Sequence, residues 1–184
     1  MARLVLLIIL VTAGGFFAHK AWEEKPYILL DALRSFSNPA SNILVDLKED
    51  LSDYDEAKLQ KRFSPVPFTC TDEPSKLGPR VCYAYVYSFN DIRADNVAFF
   101  FNSSGSAYLM RLEFHPQYHD AVTAWLNKQY TYLGGSTYSF PQLGQTLGAW
   151  ETGAGYVGHL SAKSVSGDNS VLVWRICKSN VGCY

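Results

Sequence analysis

Histidines and cysteines, four of each, are the residues of this chain best suited to chemistry. His115 and His119 stand four apart, the spacing that places two side chains on one helical face, with Glu113 and Asp120 beside them. Two imidazoles so placed are the beginning of a metal site or an acid–base pair. Zinc needs a third protein ligand, however, and the H-E-x-x-H pattern is absent. Solvated histidines at the polar start of a helix are the plainer expectation. His159 falls in a stretch of strand character next to Gly158, where Ser161 or a distant acid is available as a partner. The G-x-S-x-G elbow that would expose a serine nucleophile is missing. Gly153, Gly155 and Gly158 approach a dinucleotide fingerprint, but they lie between strands and open no helix. These motifs predict no catalytic residue, no metal and no cofactor. His115, His119 and His159 together mark the one candidate groove.

Cys70 and Cys82 flank a loop containing Pro74, Gly78 and Pro79, while Cys177 and Cys183 close the C-terminus. Their spacing fits no zinc-finger pattern, and behind an export signal they read as structural disulfides. Four cysteines permit three pairings; local pairing of Cys70 with Cys82 and of Cys177 with Cys183 is the simplest.

That export signal is the apolar run over residues 4–18, preceded by Arg3 and followed by Lys20. As a helix it rises roughly 22 Å, short of a bilayer core, which favours a signal peptide cleaved after Val11-Thr12-Ala13. Ala21 and the interfacial indole of Trp22 extend it, which favours a retained anchor. The anchor is the expectation adopted: a single-pass protein with a cytoplasmic N-terminus and its folded domain in the periplasm or extracellular space, or secreted if the segment is cleaved. Leu6, Ile9, Phe16, Phe17 and Trp22 are then the residues expected to meet lipid or an integral-membrane partner. The formal net charge of −1 and the lack of a basic stripe exclude a nucleic-acid partner.

The remaining pattern supplies the scaffold. A short helix is expected after Pro26, ended by Ser37-Asn38-Pro39. Alternation at Ile43, Val45 and Leu47 suggests a strand, and Ser52 is placed to cap a helix with acids in its first turn and bases in its last. Three strands follow over 81–89, 96–102 and 107–114, then a helix over 116–129, then three more strands over 147–151, 155–163 and 170–177. In the last of these both faces carry bulk, which marks a central strand. The fold class expected is α+β: a membrane helix, then antiparallel meanders of about six strands with two or three short helices on one face. The segments are 1–25 (anchor), 26–65 (membrane-proximal helical part) and 66–184 (disulfide-bonded sheet domain, in two halves around helix 116–129). Two meanders about one helix suggest an internal duplication.

Tyr83, Tyr85 and Tyr87 align on one strand face. That row is core if it meets a helix, and a contact platform for protein or sugar if it is exposed. Asn102-Ser103-Ser104 matches a glycosylation site at an expected turn. The expected function is a non-enzymatic accessory subunit, exported and anchored, that contacts an integral-membrane protein. The alternative is an exported enzyme or a small-ligand or metal-binding domain built on the His115/His119/His159 groove.

Overall fold

The computed structural model describes residues 42–72, 77–135, 147–160 and 169–176. The expected anchor over 1–25 with its interface residues Leu6, Ile9, Phe16, Phe17 and Trp22, the helix after Pro26, and Cys177 and Cys183 lie outside them. Among the described residues no helix is long and apolar enough to cross a membrane.

A short 3-10 helix (Leu51–Asp53) is capped by Asp50, and α1 (Glu56–Arg62) by Asp55, whose carboxylate accepts the Lys58 N–H. The cap is therefore Asp55 and not Ser52, because the segment expected as one helix divides at Tyr54. Strands β2 (Thr69–Thr71), β3 (Arg80–Tyr85), β6 (Asn96–Phe101) and β7 (Ala107–Phe114) form a meander. After α2 (His119–Gln129), a second meander runs through β8 (Thr131–Gly134), β9 (Leu147–Thr152), β10 (Gly155–Leu160) and β11 (Ser170–Ile176).

The two meanders join into one antiparallel sheet of order β2-β3-β6-β7-β11-β10-β9-β8. Eight strands replace the expected six; β2 and β8, the two edges, were too short to stand out in the pattern. The two halves of the sheet correspond. Each half is a helix followed by four strands, and the two fourth strands pair at the centre, with Met110 opposite Trp174. Outward from that pair the registers match: Phe99, Cys82 and Cys70 on one side, Val157, Trp150 and Tyr132 on the other.

The expected continuous strand over 81–89 ends at Tyr85. A hairpin of β4 (Ser88–Phe89) and β5 (Ile92–Arg93) follows, with Asn90 and Asp91 both at positive φ, the geometry of a two-residue turn matched to strand twist. The Asn90 amide bonds both N–H and C=O of Val45, so this turn pins the segment that begins with β1 (Asn42–Ile43), itself parallel to β4. The alternation seen at Ile43, Val45 and Leu47 is one of burial, with Leu44 exposed between them, although only Asn42 and Ile43 pair as strand.

The main core lies between the sheet and its helices, where Phe63 stacks on Phe99, and Leu59, Val122 and Leu126 lie in the same cluster as Trp150, Val157 and Trp174. The other sheet face is not wholly polar: Phe100, Leu109, Leu147, Leu160 and Val173 are buried there as a second cluster. Cys70 and Cys82 are register partners on β2 and β3 and form a disulfide, with Cys82 fully buried. The bond closes a 12-residue separation. Replacing both by alanine is expected to lower unfolding free energy by about 2–3 kcal/mol, chiefly by freeing the unfolded chain. Urea unfolding of the two proteins side by side measures it, and coincident midpoints would show the bond to be idle.

Candidate functional site

α2 carries two side-chain stripes. Val122 and Leu126 enter the core, while His119, Thr123 and Asn127, at i, i+4 and i+8, line a cavity of about 320 Å³ against the sheet. Across it stand His159 of β10, Trp150 of β9 and Tyr132 of β8. Gly148 makes room for this packing: a Cβ there would lie 2.9 Å from the Trp150 ring.

His119 and His159, two of the three expected groove histidines, stack with ring centroids 4.3 Å apart. Ser170 sits between them, 2.9 Å from His119 Nδ1 and 2.9 Å from His159 Nε2. The second nitrogen of His159, Nδ1, lies 3.1 Å from Thr123 Oγ1. The indole N–H of Trp150 donates to Asn127 Oδ1 at 2.8 Å, so Asn127 keeps its amide nitrogen as a donor. His115 is not part of this group; it caps the 3-10 helix Pro116–Tyr118, with Nδ1 accepting the Gln117 N–H. Its place just ahead of the helix breaks the i, i+4 pairing read from the sequence.

Burial first, and the neighbouring His119 second, push the pKa of His159 down to about 3. Its ring is neutral at physiological pH. Ser170 has a single hydroxyl proton and so donates to one imidazole while accepting from the other. Two hydrogen orders then satisfy every group. In one, Thr123 donates to His159, His159 to Ser170 and Ser170 to His119, whose Nε2 carries the hydrogen. In the other each bond reverses and His119 Nε2 is a bare acceptor. The chain lets His119 present either sense of hydrogen bond.

Ser170 is 0% exposed, and among the described residues lining the cavity there is no carboxylate. The facing nitrogens of the two rings are both engaged by one hydroxyl. Glu56, Cys70 and Cys82 also come together, but their sulfurs are bonded to each other. Glu113, near His115 in sequence, is held by Arg111 and the amides of Asn96 and Asn169. Thr123, Asn127 and Ser170 were missed from the sequence. The polar i, i+4, i+8 stripe beside Val122 and Leu126 was a usable signal for the first two; nothing local marked Ser170.

Tyr83 and Tyr85 lie on the sheet face away from the helices, 42% and 78% exposed. Tyr87 leaves that row after the strand ends and packs under Arg93, whose guanidinium is 4.5 Å from the ring centroid. Asn102 is exposed in the β6–β7 turn and accepts from Ser104.

No family model matches the chain, and no curated protein or solved structure is significantly similar to it.

The His159 environment has a pH signature. Unfolded histidine takes up a proton near pH 6.5, whereas in the folded chain His159 resists protonation down to about 3. The unfolded state therefore binds more protons across that window. Stability is expected to fall as pH drops from 6.5, with this group contributing a slope of at most about 1.4 kcal/mol per pH unit. Urea titrations between pH 4.5 and 7.5 on wild type and His159→Gln read the difference; parallel slopes would refute it.

Proposed function

We propose that this chain is an exported, membrane-tethered, non-enzymatic contact subunit whose sheet domain engages an integral-membrane protein through the face around Tyr83 and Tyr85. The observation that carries this reading is the exposure of those two rings. Strand β2 stops with Thr69 opposite Tyr83, so Tyr85 stands beyond the end of the edge strand. A half-exposed and a largely exposed tyrosine side by side offer broad apolar area with a polar tip and little conformational entropy to lose on binding. Ion-paired Arg111 and Glu113 lie on the same sheet face, supplying a polar rim. The apolar leader would deliver and hold the domain at the bilayer, and the disulfide suits an oxidising compartment.

A photo-crosslinking residue placed at position 85 in the full chain is expected to trap one discrete membrane-protein adduct in native membranes. The same residue at Tyr132 serves as the control. Tyr83→Ala/Tyr85→Ala should abolish the adduct formed from a neighbouring position, Thr69, while changing stability by less than about 0.5 kcal/mol. Adducts of equal yield from positions 85 and 132 would count against a dedicated tyrosine face.

A further inference from the structure

The cavity beneath α2 has a chemistry that the contact function does not use. We propose that it binds a single uncharged sugar ring, seated against Tyr132 and hydrogen-bonded to His119, Thr123 and Asn127. Three features of the wall select that class. First, the described residues that line it include no Asp, Glu, Lys or Arg, so none of them compensates the desolvation of an ionic ligand. Second, its polar groups are hydroxyls, imidazole and amide, groups matched to ligand hydroxyls that both donate and accept. The reversible Thr123–His159–Ser170–His119 chain adds to this: His119 Nε2 becomes donor or acceptor to suit the hydroxyl it meets. Third, Tyr132 is 54% exposed and braced by Trp150 at a centroid distance of 5.0 Å, which presents an aromatic surface to the apolar C–H face of a ring.

Packing alone does not require this polar arrangement. The sheet position that corresponds to His159 in the first half is Phe101, which is fully buried and apolar. A volume of about 320 Å³ lies at the small end of ligand cavities and suits one ring rather than a polymer segment.

The test is saturation-transfer NMR on the full chain in a detergent without a sugar headgroup. The probes are D-glucose, D-galactose and N-acetyl-D-glucosamine, with D-glucosamine and D-glucuronic acid as charged counterparts. At least one neutral sugar is expected to bind saturably. Its charged counterparts should bind at least about fivefold more weakly, and Tyr132→Ala should weaken binding about fivefold, the loss of one ring contact. His119→Phe, which keeps the ring stack on His159 but removes Nε2, should weaken it as well. Tyr85→Ala, on the opposite sheet face, should leave it unchanged. Absence of saturable binding by all three neutral sugars overturns the proposal, as does equal binding of the charged ones or wild-type affinity in Tyr132→Ala.

Discussion

The antiparallel pairing of β7 with β11 is the constraint from which the rest of the molecule follows. It runs from Phe114 opposite Ser170 to Leu109 opposite Arg175 and is the seam between the two meanders among the described strands. Both strands are buried on both faces near their middles. Met110, Leu112, Leu172 and Trp174 face the helices, while Leu109 and Val173 enter the second cluster. Because side chains alternate with period two, a slip of β11 by one residue would turn Arg175 toward the helices and Trp174 away from them. The energy at stake is that of burying an indole against exposing it, and of burying a guanidinium. The register is thereby held by side-chain burial on both faces of the seam.

The same register builds the histidine group. The chain leaves β7 at Phe114, turns through the short helix Pro116–Tyr118 and starts α2 at His119, so the first turn of α2 arrives beside Ser170, the partner of Phe114. Strand β10, antiparallel to β11, places His159 opposite Leu172, two residues from Ser170 and on the same face. His119, Ser170 and His159 therefore meet through two strand pairings and one tight turn. None of the three is close to the others in a linear reading except by coincidence of fold.

This explains what was legible in the residues and what was not. Alternation exposed β6, β7 and β11, and the bulk on both sides of β11 correctly marked it as central, because those signals are local and the strands are long. Apolar spacing placed α2 correctly. The two edge strands carried only three and four residues, and Gly134-Gly135 read as a terminator where the structure has a strand end. The β4–β5 hairpin was hidden because Ser88–Phe89 continue an aromatic alternation that reads as one strand over 81–89. His119 and His159 were both visible as candidates, but their convergence depends on the β10–β11 register, which no window of sequence reports. Leaning on His115 failed for a local reason, since Pro116 starts a 3-10 turn that puts His115 at the cap.

The approximate twofold gives these differences a common frame. Cys70 and Cys82 occupy paired positions on β2 and β3; Tyr132 and Trp150 occupy the corresponding pair on β8 and β9. One half is joined at this point by a covalent bond set in an aromatic core of Phe63, Phe68 and Phe99. The other half is joined by ring contact beside a polar cavity. A buried disulfide needs no solvent and tolerates none of the openings a ligand requires, whereas the Tyr132–Trp150 pair leaves one ring exposed. The neutral His159 imidazole and the hydroxyls avoid the full cost of buried charge, and each partner satisfied in the chain removes a desolvation penalty of about 1–3 kcal/mol. The scaffold thus has one half closed by a disulfide and one half left polar and accessible at equivalent positions of the sheet.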